Sequence, residues 1–239
     1  MTLAFGSDSV ALLSVGLAVL GGIWGVVADR IATRWPEHDE TEGFIAGRRV
    51  GWRTVVVVAF GAVGLGALPS RFLVDPRASA VLTSAGGLPD GLVLAIFVAY
   101  VVVLVLLMAT DLDQRLLPDV LTLPMIPLAL LFALSGQNPL VGQALLPAVV
   151  AAILVPAVLY LPSLLFGAGA FGLGDVKLLV TVGLMSGAYR AVAGTVAGVI
   201  VAGVVILLLL GTRRVGLKSY IPFGPFLILG ALWAILLPD

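Results

Sequence analysis

Long apolar stretches alternate with short polar ones along this chain, and the alternation predicts membrane-spanning helices. A helix needs about 20 mostly apolar residues to cross roughly 30 Å of hydrocarbon. The strands of a transmembrane barrel are shorter and alternate apolar with polar positions, which is not the pattern here. We therefore predict about eight transmembrane helices, at residues 9–28, 54–69, 91–110, 120–134, 142–166, 175–186, 191–210 and 221–237.

Proline and glycine mark the interruptions in this pattern. The segment Gly136-Gln137-Asn138-Pro139 predicts a tight turn between the fourth and fifth spans. Pro156 and Pro162 predict kinks in the fifth span, because proline removes a helical hydrogen bond. A glycine-rich loop then ends at Asp175, where we expect the sixth span to start.

Composition supports an integral membrane protein. Of the 239 residues, 61% are hydrophobic and 11% are charged, and the mean hydropathy is +1.19. Soluble domains carry about 25% charged residues. We therefore expect residues 1–239 to form one all-α, polytopic membrane domain in a lipid bilayer. The first 28 residues lack a basic segment and a small-residue cleavage site, so we expect a retained span rather than a removed signal peptide.

The same composition narrows the possible chemistry. The formal net charge is zero, which gives no indication of a nucleic-acid partner. The chain has no cysteine and its one histidine is His38, so it has little material for disulfides, thiolate or histidine metal sites, or a Ser-His pair. We expect no metal and no cofactor.

Basic residues predict the orientation of the chain. With eight spans, ten Lys and Arg residues fall on one side and three on the other. Cytoplasmic loops are enriched in Lys and Arg. We therefore expect an inner (plasma) membrane protein with both termini outside and residues 29–53 as a cytoplasmic loop. The ten residues are Arg30, Arg34, Arg48, Arg49, Arg53, Arg115, Lys177, Arg213, Arg214 and Lys218, and the three are Arg71, Arg77 and Arg190.

Two acidic residues lie where apolar spans meet the cytoplasmic side. Asp111 ends the third predicted span and Asp175 opens the sixth. An ionisable residue at such a depth is costly and indicates function. If the two helices are neighbours, the carboxyl groups can share one proton. The ionised group can then take a proton from water while the protonated group polarises a peptide carbonyl, which predicts a catalytic aspartic dyad.

The residues around the two acids have both structural and functional interpretations. Asp111 and Asp175 themselves could be interfacial residues without chemistry. Gly172 and Gly174, which precede Asp175, allow close approach of an extended substrate and positive φ angles. We place both glycines among the substrate-binding or supporting residues.

Four further charged residues flank the acids. Asp113 either pairs with Arg115 or orients the substrate. Asp119 follows Pro118 and suits a helix N-cap. Lys177 either neutralises a nearby carboxylate or extends to the membrane interface. We predict supporting roles for all four.

Three motifs in order resemble those of the type IV prepilin peptidase family. They are Asp111-Leu112-Asp113 with Leu117-Pro118-Asp119, then Gly172 to Lys177, then the Pro-Phe-Gly-Pro segment within Ile221 to Phe226. Residues 21–36 are more weakly similar to that family's first span. The resemblance implies an eight-helix fold and a peptidase core at residues 91–239. It also implies that Asp111 and Asp175 are catalytic, and that leaders of prepilins or pseudopilins are cleaved at the cytoplasmic face.

One difference from the family concerns the first cytoplasmic loop. Many members carry two Cys-x-x-Cys pairs there that bind zinc, and also N-methylate the new amino terminus. Residues 34–53 contain no cysteine. Zinc cannot bind by that route, so we predict proteolysis and leave N-methylation in doubt.

Two other functions are compatible with the sequence. Presenilin-like intramembrane proteases share a Gly-x-Gly-Asp signature but pair it with a Tyr-Asp motif inside a span, whereas Thr110 precedes Asp111 here. A transporter or proton-relay protein could use the same acids, since kinked spans suit transporters. The absence of a repeat between the two halves argues against that alternative.

Overall fold

The computed structural model of the protein describes residues 7–35, 50–73, 90–166, 171–213 and 222–238. All regular secondary structure in these segments is helical. Five of the helices (α1, α2, α3, α5 and α6) are long and apolar enough to cross a membrane, and α4 and α7 are shorter apolar helices, as expected of a multi-pass membrane protein. The seven helices are α1 (Ser7–Ala32), α2 (Trp52–Leu73), α3 (Asp90–Gln114), α4 (Asp119–Leu134), α5 (Leu145–Phe166), α6 (Leu173–Gly211) and α7 (Gly224–Leu236).

Contacts between the helices divide the chain into two compact units. The first reaches to Leu121 and contains α1, α2 and α3. The second runs from Thr122 to Leu237 and contains α5, α6 and α7. The predicted organisation as one membrane domain over residues 1–239 stays a prediction.

In the first unit, α1 and α2 pack backbone against backbone through glycine. A Cβ added to Gly21 would fall on the carbonyl oxygen of Gly61, and a Cβ on Gly61 would fall on that of Gly21. A Cβ on Gly25 would lie 2.6 Å from the Cα of Val58. Helices in lipid associate through close packing of small residues, because lipid tails are as apolar as the side chains. These glycines therefore set the distance between α1 and α2.

Side-chain hydrogen bonds add specific ties within the first unit. The indole nitrogen of Trp24 donates to the carbonyl oxygen of Val102 in α3, at 2.9 Å. The hydroxyl of Thr54 donates to the carboxylate of Asp29 at 2.7 Å, and Asp29 is only 3% exposed. A buried carboxylate is costly without such a donor, so this bond joins the end of α1 to the start of α2.

In the second unit, α6 is broken at Gly187. Its 39 residues include Gly187 with φ 77° and ψ 170°, a conformation that is essentially restricted to glycine. A straight helix of that length would be about 58 Å long, nearly twice the hydrocarbon thickness. The break falls between the sixth and seventh spans predicted from the sequence, whereas the count of eight spans stays a prediction.

Asn138 supplies hydrogen bonds to backbone carbonyl groups next to this break. Its side-chain amide donates to the carbonyl oxygens of Met185 at 2.9 Å and Leu184 at 3.4 Å. Its side-chain oxygen accepts from the backbone nitrogen of Leu140 at 3.0 Å. Carbonyl groups before a helix break lose their helical partners. The turn predicted at residues 136–139 is thus present, and it also supplies a fully buried side chain.

Several predicted boundaries were wrong by a few residues. The helix predicted to end at Thr110 continues to Gln114, so Asp111 lies inside it. The fifth helix begins at Leu145 rather than Gly142, because Gly142 has φ 54° and belongs to the preceding turn. The sixth begins at Leu173, before Asp175. Most of the loop predicted at residues 29–53, including His38, lies outside the described residues.

We predict that Gly61→Ala destabilises the protein, because its methyl group would meet the backbone of α1. Overpacking of this kind costs about 1–3 kcal/mol. Gly16→Ala is the matched control, since nothing lies within 4 Å of a Cβ at Gly16. Thermal unfolding of the purified protein in detergent measures both. Equal unfolding temperatures for the two variants would contradict the proposed close packing.

We also predict that Asn138→Ala destabilises the protein, because it leaves buried carbonyls of α6 without a donor. An unsatisfied buried polar group costs about 1–3 kcal/mol. Gln143→Ala in the same connection is the control, since Gln143 is exposed. The same unfolding assay applies, and a loss no larger than that of the control would show that Asn138 does not support the break.

Candidate active site

Asp111 lies in the last turn of α3 and is buried. It is 5% exposed, and the preceding Thr110 is fully buried. The backbone nitrogen of Arg115 donates to the carbonyl oxygen of Asp111 at 3.0 Å, which closes the end of the helix. The acidic side chain therefore comes from an ordered helical turn rather than from a loop.

Asp113 forms an ion pair with Arg53 at the start of α2. The Arg53 Nη1 to Asp113 Oδ1 distance is 2.6 Å, which is short, as expected for a charge-assisted hydrogen bond. The side chain of Asp113 is 14% exposed and that of Arg53 is 33% exposed. Sequence reasoning considered Arg115 as the partner of Asp113 and missed Arg53, because 60 residues separate Arg53 from Asp113.

Gln114, the last residue of α3, contacts α1. Its side-chain amide donates to the carbonyl oxygens of Ala32 at 2.6 Å and Trp35 at 3.1 Å. The last carbonyl groups of a helix have no partner within that helix. Gln114 thus caps the end of α1 from α3, a contact that no local sequence signal predicts.

Arg115 directly follows α3 and has a left-handed backbone conformation. Its φ is 56°, a region that costs a residue with a Cβ roughly 1–2 kcal/mol. Its side chain is exposed. Asp119 is the first residue of α4 and is exposed. A carboxylate there is favourable at the positive end of the helix dipole, and its role as N-cap stays a prediction.

Asp175 lies in the first turn of α6, and its carboxylate folds back over the helix start. The backbone nitrogen of Gly172, the N-cap, donates to Asp175 Oδ2 at 3.1 Å. This is one half of a capping box, since glycine has no side chain to supply the other half. Asp175 is half-buried. The bond and the helix dipole both favour a defined carboxylate position at this terminus.

The two glycines before Asp175 do not use positive φ, and that part of the prediction was wrong. Gly172 is extended, with φ −86° and ψ 156°, and Gly174 lies within the helix. Extended backbone there lets the Gly172 N–H point at the carboxylate of Asp175, the third residue of the helix. Lys177 is also in this region of α6 and is half-buried.

An aromatic cluster joins two of the motifs within the second unit. The rings of Phe171 and Phe223 lie 6.2 Å apart in an edge-to-face arrangement, and Phe223 lies 6.5 Å from Phe226. Aromatic pairs favour such geometry. The Pro-Phe-Gly-Pro segment thus packs beside the segment that leads into Asp175. The phenylalanine just before Gly172 and the one in the Pro-Phe-Gly-Pro segment were the available signal, and the sequence prediction did not use them.

The candidate residues therefore form two groups. Asp111, Asp113 and Arg115 share the end of α3 in the first unit, and Asp119 begins the next helix. Gly172, Gly174, Asp175 and Lys177 share the start of α6 in the second unit. Each group lies within a single unit and is held by contacts inside that unit. The approach of Asp111 to Asp175 stays a prediction.

A family model and individual known proteins both indicate the same family for this chain. Residues 88–210 match the type IV leader peptidase family. Over 137 residues the chain is 34% identical to a prepilin leader peptidase/N-methyltransferase of Aeromonas salmonicida, covering 57% of this chain and 47% of the relative. Proteins of the same name from Burkholderia pseudomallei (34% over 143 residues, 59% and 46%) and Pseudomonas aeruginosa (32% over 129 residues, 54% and 44%) are also similar.

The chain thus spans a little under half the length of these relatives. No solved structure matches it.

We predict that Arg115→Gly unfolds with a free energy about 1 kcal/mol higher than Arg115→Ala, because glycine adopts the left-handed region without the Cβ penalty. Both variants lose the side chain, so the difference between them reports the backbone alone. Thermal unfolding in detergent measures it. An alanine variant at least as stable as the glycine variant would show that Arg115 is not strained.

Proposed function

Because this chain belongs to the type IV leader peptidase family, we propose that it is a membrane aspartic endopeptidase. Its proposed substrates are type IV prepilins or pseudopilins, from which it removes the leader peptide. The observation that carries the proposal is that the family match, residues 88–210, includes both Asp111 and Asp175. Each acid also lies at the end of an apolar helix, where an ionisable residue without a role would be costly.

The proposed reaction uses the two carboxyl groups as a dyad that holds one proton. The ionised carboxylate takes a proton from a water molecule, and the resulting hydroxide adds to the carbonyl carbon of the scissile peptide bond. The protonated carboxyl donates its proton to the carbonyl oxygen. The tetrahedral intermediate then collapses: the proton held by the first carboxyl passes to the leaving amine, and one hydroxyl proton of the intermediate returns to the second carboxylate, which restores the singly protonated dyad. The net reaction consumes one water molecule for each peptide bond that is cleaved.

The supporting residues act through the backbone turns that hold the two acids. Asp113, Arg115 and Asp119 belong to the exit from α3 and the entry into α4. Gly172 holds the carboxylate of Asp175 through its N–H. Gly174 and Lys177 complete the start of α6.

The proposed setting is the inner membrane, with eight spans and the acids facing the cytoplasm. The excess of Lys and Arg on the side that carries Asp111 and Asp175 supports this orientation. The break at Gly187 supports the count, because it divides the 39 residues of α6 between two spans. The proposal covers proteolysis and not N-methylation, since residues 34–53 lack cysteine.

We predict that Asp111→Asn and Asp175→Asn each lower precursor cleavage by about a hundredfold or more, because each removes a general acid or base. The experiment co-expresses the chain with prepilin precursors of the source organism and follows the shift from precursor to mature form on a gel. Asp8→Asn is the control, since Asp8 is an exposed acid at the other end of α1 from Asp29.

Full processing by both variants at wild-type protein levels would refute the dyad. Mass spectrometry of the product locates the cut. Cleavage inside the apolar segment of the substrate, instead of at its leader junction, would favour the intramembrane protease alternative.

A further inference from the structure

The end of α3 is held from two sides by residues that precede it in the chain. On one side Arg53 of α2 pairs with Asp113 at 2.6 Å. On the other, Gln114 donates to the carbonyl oxygens of Ala32, the last residue of α1, and of Trp35, three residues beyond it. Asp111 lies in the same helical turn as both contacts. The last turn of a helix frays unless such tertiary contacts fix it.

The residue that follows makes these contacts more important. Arg115 is left-handed with φ 56°, and strained backbone persists only where the surrounding structure holds it. The Arg115 N–H bonds to the carbonyl of Asp111. A loosened turn would therefore disturb the strained residue and the backbone of Asp111 together.

The two ties differ in what they fix. Gln114 bonds to backbone of α1 and caps that helix. The Arg53–Asp113 pair joins two charged side chains, and Asp113 is only two residues from Asp111. A separate bond between Thr54 and Asp29 joins α1 to α2, one position along α2 from Arg53. Two adjacent residues of α2 thus bind different helices: Arg53 binds α3 and Thr54 binds α1.

We propose that Arg53 is a positioning residue, which holds Asp111 in its reactive place through the ion pair with Asp113. This rests on the proposed function of Asp111. It assigns Asp113 to Arg53, so Asp113 acts on the reaction by anchoring the helix end, without a direct contact to the substrate. Misplacement of a reacting group by about 1 Å can lower a rate by about a hundredfold.

The test compares kcat and KM for a precursor that the wild-type chain cleaves. Arg53→Gln and Asp113→Asn are each expected to lower kcat by about tenfold to a hundredfold, with KM within about twofold. The double variant should be no worse than either single variant, because both lose the same pair. Arg53→Lys keeps the charge and should recover most of the activity.

Thr54→Val is the matched control for stability. It removes the bond to Asp29 and leaves Arg53 and Asp113 in place. It is expected to lower the unfolding temperature while kcat stays near the wild-type value. If Arg53→Gln likewise lowers only the unfolding temperature, Arg53 is structural and the proposal is wrong. If the losses of Arg53→Gln and Asp113→Asn add in the double variant, the two residues act separately and the proposal is also wrong.

Hydrogen exchange provides a readout that does not need a substrate. Backbone amides of residues 111–116 should exchange faster in Arg53→Gln than in wild type, whereas Thr54→Val should leave them unchanged. Unchanged exchange in Arg53→Gln would overturn the proposal. If the wild-type chain cleaves no precursor, or Asp111→Asn retains full activity, the proposed function fails instead, and the exchange result still decides the role of Arg53.

Discussion

Backbone hydrogen bonding in a medium without water is the constraint on which this structure depends. In hydrocarbon every N–H and C=O group must find a partner within the protein. Helices satisfy this requirement, and each departure from a helix then needs a specific substitute. At Gly187 the substitute is the buried amide of Asn138, which bonds to Met185. At the end of α1 it is the amide of Gln114. Asn138 and Gln114, two polar side chains in an apolar chain, thus supply hydrogen bonds where a helix is interrupted or ends.

Helix packing follows from the same medium. Lipid offers no hydrophobic gain for bringing two apolar helices together, so they associate by close contact. The pair Gly21 and Gly61 brings two backbones together in the first unit. In the second, a Cβ on Gly194 would fall on the carbonyl oxygen of Gly230. Both units thus use glycine where a larger residue would separate the helices.

Charge at the helix ends connects this architecture to chemistry. Asp111 and Asp175 lie at opposite ends of their helices, in a last turn and a first turn respectively. Asp175 is held locally, by the N–H of Gly172 three residues earlier. Asp111 belongs to a turn that is held by distant parts of the chain. Two similar acids therefore depend on different kinds of support.

The sequence by itself determined the class of the protein and the position of its acids. The length of the apolar stretches predicted the helices, because the thickness of a bilayer is a fixed length. The acids stood out because charge is rare there. The turn at residues 136–139 followed from its glycine and proline, and the interruption between residues 186 and 191 followed from the predicted ends of two spans. These features are local, and a local pattern is enough to find them.

Only the tertiary structure decided which side chains meet. Arg53 with Asp113, Thr54 with Asp29 and Gln114 with the end of α1 join residues 25 to 82 positions apart, and nothing in the local pattern selects such partners. The left-handed conformation of Arg115 was equally hidden, because no glycine marks that position in the sequence. Packing between helices chose these contacts, because a buried polar group takes whichever partner the neighbouring helix presents.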